Sequence, residues 1–215
     1  RQGMDDPNRA VFYRQMRCKA YELTDATHIA LLAQKTSAVY YDTIRTFALH
    51  PAKAYSELQM QLEAYTEEMT TAPLLYTDEK RRNAEMEKAD RMHESALAEL
   101  FNKTWVTIHW TDTEANEAGK LLESVLVHPN DLAVMVSAIT LGLLRVFDAK
   151  KLHFLMEAYR HENLQVNQRA IVGIIIAISK HEKRIQLYPE IVSRLSLLCG
   201  EECFRKNLYT IQMQL

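Results

Sequence analysis

From residue 112 onward, stretches of helix-periodic apolar residues are separated by connections of only one or two residues: His128-Pro129, Phe147-Asp148, His161-Glu162 and Gly200. A link that short leaves a helix nowhere to go except back along its predecessor. The spacing predicts helices over 112–127, 130–147, 149–161, 163–181, 187–199 and 201–215, which make three antiparallel pairs. Thr111 and Glu114 stand at the spacing of a capping box that starts the first of them. Gly200 is expected to stop a helix in the left-handed conformation.

The upstream half carries the same signals with longer segments. Only 5 Gly and 5 Pro occur in 215 residues, so few breakers interrupt the chain. Asp5-Asp6-Pro7-Asn8 reads as a helix start, and the apolar run behind it extends from Val11 to Phe47. Thr24-Asp25 is expected to cap a second helix within that run, giving helices over 8–23 and 25–49, with His50-Pro51 ending the pair. A third helix over 52–70 places Leu58, Leu62, Tyr65 and Met69 on one face. Thr70-Thr71-Ala72-Pro73 is expected to break it, and Thr77-Asp78 to restart the chain. Glu79–Arg91 is dense in mixed charge, with Asp78/Arg82 and Glu87/Arg91 in the acid-before-base order of an exposed helix. Apolar residues then return through Leu97, Leu100, Trp105 and Trp110. The expected fold is all-α: about ten helices in antiparallel pairs, stacked as an α–α superhelix. Residues 1–110 form an N-terminal helical region, and 111–215 pack on it as repeats in one continuous body.

Two of the helices match each other at an offset of 32 residues. Leu132, Val134, Ala138, Ile139, Leu143 and Val146 align with Leu164, Val166, Ala170, Ile171, Ile175 and Ile178, and Asp131 aligns with Asn163. A shorter helix precedes each copy, and 187–199 with 201–215 continues the rhythm in degraded form. A helix pair recurring at this period is the mark of a solenoid, in which each unit buries its apolar face only against its neighbours.

The residues that carry this period resemble a known family. Leu187-Tyr188-Pro189-Glu190-Ile191-Val192-Ser193-Arg194-Leu195 resembles the first helix of a HEAT repeat. Val166, Ala170, Ile171 and Ile174, like Val134 and Ala138, resemble the second. Where such repeats carry an Arg directly after the Val, this chain has Met135 or Asn167. The tetratricopeptide pattern does not fit these positions. Leu100-Phe101-Asn102-Lys103-Thr104-Trp105, Phe147-Asp148 and Arg169-Ala170-Ile171-Val172-Gly173 are also similar to uncharacterised bacterial helical-repeat proteins. Those proteins are much longer and are often labelled tetratricopeptide-containing.

The chemistry-bearing residues are scattered. The eight histidines include no pair at the three- or four-residue spacing of a shared helical ligand face. His128 and His161 fall at equivalent turns, where a histidine favours a helix C-terminus. Cys18, Cys199 and Cys203 are too few for a disulfide framework. They are expected to be reduced, with Cys199 and Cys203 as small buried side chains, which points to the cytoplasm. The glycines form no phosphate loop, and Gly142 and Gly173 are expected to let helices approach closely. The aromatic residues of the opening segment, from Phe12 and Tyr13 to Tyr65, are expected to pack in the core. No apolar run reaches the roughly 20 residues of a membrane span, and a net charge of −2 offers nucleic acid no long-range attraction.

The expectation is a non-catalytic scaffold without cofactor or metal, part of a larger bacterial protein, that binds a protein or peptide partner. The HEAT resemblance implies contacts along the second helices, at Ser137, Thr140, Gln165, Arg169, Val172 and Lys206. The alternatives are a structural or oligomerising segment, or a nucleic-acid-modifying enzyme resembling the HEAT-like glycosylases. Leu208, Ile211 and Leu215 share a stripe with no stop signal behind it, so the chain is expected to continue or self-associate there.

Overall fold

The structure is a computed structural model and describes residues 8–213. Asp5, Asp6, Pro7 and Leu215, which figured in the expected start and end signals, lie outside the described residues. Within them the chain forms ten helices and no strand: α1 (Arg9–Lys35), α2 (Val39–Leu49), α3 (Tyr55–Leu75), α4 (Glu79–Val106), α5 (Asp112–Glu123), α6 (Pro129–Leu143), α7 (Ala149–Ala158), α8 (Leu164–Ile185), α9 (Pro189–Gly200) and α10 (Glu202–Gln212). No helix is long and apolar enough to cross a membrane.

Packing sorts the helices from α3 onward into two rows. α3, α5, α7 and α9 contact one another in sequence along one row, and α4, α6, α8 and α10 along the other. α3 packs on α4, α7 on α8 and α9 on α10 across the rows. One continuous apolar core runs between them from Tyr55, Leu58 and Leu62 through Leu121, Ile139, Leu155 and Ile174 to Phe204. It crosses residue 110 without interruption. A smaller cluster of Ile29, Ala33, Tyr40 and Tyr41 against Val106 and Val146 ties α1 and α2 to the second row.

The close approach of α6 and α8 depends on glycine. A Cβ on Gly173 would stand 2.4 Å from Thr140 Oγ1 and 2.9 Å from Leu155 Cδ1. Gly142 faces Lys151 Nζ and the Trp105 carbonyl oxygen at 3.1 and 3.2 Å in the same sense. Ala138 and Ala170, matched by the 32-residue offset, are both wholly buried.

Several boundaries differ from expectation, each for a local reason. Thr24-Asp25 does not start a helix: the Thr24 hydroxyl donates to the Ala20 carbonyl at 2.7 Å and Asp25 pairs with Arg184. The break comes after Lys35 instead. Thr70-Thr71-Ala72-Pro73 does not stop α3, because both threonine hydroxyls fold back onto their own helix. Pro73 removes one backbone donor near the end, and Tyr76 N–H still reaches the Ala72 carbonyl at 3.1 Å. Gly200 closes α9 without a left-handed turn, since no described glycine has positive φ. α8 runs past 181 through a kink, where His181 leaves the helical region at φ −121°, ψ 21°. Asp131 and Asn163 are not equivalent: Asn163 caps α8, while Asp131 lies buried inside the first turn of α6.

The capping box does form. Thr111 Oγ1 accepts from Glu114 N–H at 3.1 Å and the Glu114 carboxylate accepts from Thr111 N–H at 2.9 Å. His128 and His161 are not equivalent: His128 caps the start of α6, while His161 follows α7, its N–H donating to the Ala158 carbonyl, and Asn163 caps α8. Each Nδ1 accepts the backbone N–H two residues on, from Asn130 at 3.2 Å and Asn163 at 3.0 Å.

Candidate functional site

The residues expected to form a contact stripe divide between the α6–α8 seam and open surface. Arg169 reaches across the seam and donates to Ser137 Oγ at 2.8 Å. Thr140 is half-buried against Gly173, and its hydroxyl donates to the Val136 carbonyl. The Arg169–Ser137 bond thus joins α8 to α6. Gln165 and Val172 are exposed on α8. Lys206 is exposed on α10 and paired with Glu202 of its own helix at 2.7 Å.

The opposite row carries a groove of about 980 Å³. Small residues create it: Ala115 and Gly119 on α5 and Ala149 on α7 leave no bulk between the two helices. At Gly119 a Cβ would meet nothing within 4 Å. The floor is apolar, made by Leu122, Val127, Phe154 and Ile191, and the 124–128 loop adds the exposed Val125 at the rim. Charges of both signs surround the floor. Lys150 pairs with Asp112 at 2.8 Å, Arg160 with Glu201 at 3.5 Å, and Glu157 with Arg194 at 2.9 Å. Glu123, Glu162 and Glu190 have no ion-pair partner among the described residues. Burial holds the His153 imidazole below its ordinary pKa, and the nearby Arg194 adds to that shift against the pull of Glu157.

Behind the groove lies a buried polar cluster that fixes the junction between α4 and α7. The wholly buried Lys151 donates to the Thr104 carbonyl at 2.8 Å and also to that of Thr107, and so closes the C-terminus of α4. A cation there faces the negative end of the helix dipole. Burial pulls this ammonium down to about 8, against the opposing charges of Asp148 and Glu114. Asp148 accepts from the backbone N–H of Lys151 at 2.8 Å and of Trp110 at 2.9 Å. Burial raises its pKa, but His109, these two donors and the Lys151 charge outweigh that and leave it below the usual carboxylate value. Trp110 Nε1 in turn donates to Tyr55 Oη at 3.0 Å, and that hydroxyl meets Thr104 Oγ1 at 3.1 Å. Apart from His109 Nε2, which is buried without a hydrogen-bond partner, each of these polar groups is bonded to another protein group, so the cluster positions helices.

A second polar group joins α3, α4 and α6. The His93 ring stacks on Tyr65 with centroids 4.1 Å apart, and its Nε2 lies 2.8 Å from the buried Asp131 carboxylate. Tyr65 donates to Asp90 at 2.9 Å. Cys199 and Cys203, expected to be buried, are both exposed and form no disulfide; Cys203 Sγ lies 3.9 Å from Asn207 Nδ2.

The groove was missed in the sequence because the HEAT resemblance directed attention to the second helices. Its signal was present. Ala115 and Gly119 stand one turn apart on α5, and Val125-Leu126-Val127 is an apolar triplet in a loop that buries only its last member.

No protein-family model matches the chain. No curated protein and no solved structure matches it either.

Proposed function

We propose that this chain is a non-catalytic, HEAT-like helical-repeat scaffold that holds a protein or peptide partner in the groove lined by α5, α7 and α9. One observation carries the proposal: a groove of about 980 Å³ runs along α5, α7 and α9 over buried apolar side chains, with the exposed Val125 and charges of both signs at its rim. The exposed Val125 costs free energy while it faces water, and a concave site with an apolar base and a few polar groups is where ligands bind. A buried apolar centre with a polar rim is also the anatomy of a recognition interface. The three free cysteines, two of them exposed, fit a reducing compartment.

Gly119 provides the test. Gly119 lines the groove, and a Cβ placed there meets no protein atom within 4 Å, so Gly119→Trp is the substitution that should fill the site. A peptide library panned on the wild-type chain, with counter-selection on Gly119→Trp, should yield a consensus of alternating apolar and charged residues. If every selected peptide binds both proteins equally, the groove is not the binding site.

A further inference from the structure

α1 carries a long exposed helix face whose residues do not line the groove. Tyr13, Met16, Ala20, Leu23, Thr27 and Ala30 recur at alternating steps of three and four, and all are exposed. Met16 and Leu23 each keep 70% of their surface in solvent. The Thr27 hydroxyl is turned back to the Leu23 carbonyl at 2.8 Å, so a methyl is left to face outward. This is the spacing by which one helix receives another.

The exposed charge on α1 is positive. Asp25 pairs with Arg184, and Glu22 lines a cleft against Tyr188 that Arg14 and Lys19 also line. Arg9, Arg17 and Lys19 are exposed and have no ion pair among the described residues, with Arg17 resting over the Tyr13 ring at 6.0 Å. A second copy of α1, in either direction, would set cations against cations. The small Ala20, Thr27 and Ala30 make the seam narrow, which suits a close-packed helix better than a bilayer, where large side chains supply the buried area.

We propose that α1 is a docking surface for an amphipathic helix of a partner protein, one with an apolar seam and glutamate- or aspartate-rich flanks. The apolar seam supplies the contact area and the cations select the partner's sign.

The test uses the full chain and two synthetic helices of about 21 residues with the same leucine–alanine seam, one flanked by Glu and one by Lys. Fluorescence anisotropy should show binding of the Glu-flanked helix alone, weakened about tenfold at roughly 0.5 M salt. The double variant Arg17→Glu/Lys19→Glu should reverse the preference, and Met16→Glu/Leu23→Glu should abolish binding of both. All four side chains are exposed, so thermal melting should stay unchanged. Gly119→Trp should bind the Glu-flanked helix as the wild type does, which separates this surface from the groove. Equal binding of the two helices, or no binding of the Glu-flanked one, overturns the proposal. So does retention of binding by Met16→Glu/Leu23→Glu, or adsorption to phosphatidylserine-containing vesicles in preference to the peptide.

Discussion

The ammonium of Lys151 on α7 donates to the backbone carbonyl of Thr104 on α4 at 2.8 Å with almost no access to water. A carbonyl at a helix end has no partner within its own helix, and burial leaves it none in solvent. Replacing Lys151 with Met keeps the stem and deletes the donor. The expected cost is about 2 kcal/mol of unfolding free energy, the penalty of orphaned buried acceptors, measured by urea denaturation.

The same side chain sets an alkaline pH dependence. Its pKa is about 8 in the folded chain against 10.5 unfolded. Between those values the unfolded chain holds more protons, so this group makes stability rise with pH. Wild-type stability should gain on Lys151→Met between about pH 8 and 9.5. Parallel profiles for the two proteins would contradict the burial described.

On the acid side, His181 Nε2 meets the Leu143 carbonyl at 2.6 Å. Burial lowers its pKa, with Arg184 and Lys180 adding to the shift against the bond to Leu143. The folded state therefore resists protonation. Stability should be lost as pH falls from the unfolded value of 6.5 through the lower folded one. His181→Gln, which keeps a donor, should flatten that part of the profile in pH-resolved thermal melts.

Gly173 and Gly119 form a matched pair. Alanine at Gly173 must push Thr140 and Leu155 aside and should cost about 1–3 kcal/mol. Alanine at Gly119 meets nothing and should be neutral or stabilising by up to about 1 kcal/mol. Thr140→Ala should recover part of the Gly173→Ala loss in a double-mutant cycle.

Ala138 and Ala170 occupy matched, fully buried positions. Leucine at either should overpack the α6–α8 seam by roughly 1–3 kcal/mol. Unchanged melting temperatures in both variants would show that the repeat register is wrong.

Most of the architecture was legible in the sequence because short links and 3.6-residue periodicity act locally. Helix number and the Thr111–Glu114 box follow from neighbouring residues, and glycine inside an apolar helical run already marked the close approaches at Gly142 and Gly173. What failed depended on distant partners. Thr24-Asp25 has the composition of a cap, yet Arg184 draws Asp25 into a pair that only the tertiary fold can supply. Phe12 and Tyr13 carry helical spacing like Tyr40 and Tyr41, but only the latter find a neighbour to bury them. The groove escaped notice for a related reason: it is made by what Ala115, Gly119 and Ala149 lack, and sequence periodicity scores side chains that are present.

The most direct test of the scaffold account is site-specific photocrosslinking in extract of the source cells. A benzophenone amino acid would be placed singly at the exposed Asn116 and Val125 along the groove, and at Gln165 and Val172 on the second row. One partner should be crosslinked from both groove positions and displaced by an excess of wild-type chain, but not by Gly119→Trp. Crosslinks confined to Gln165 and Val172 would instead return the binding face to the second helices.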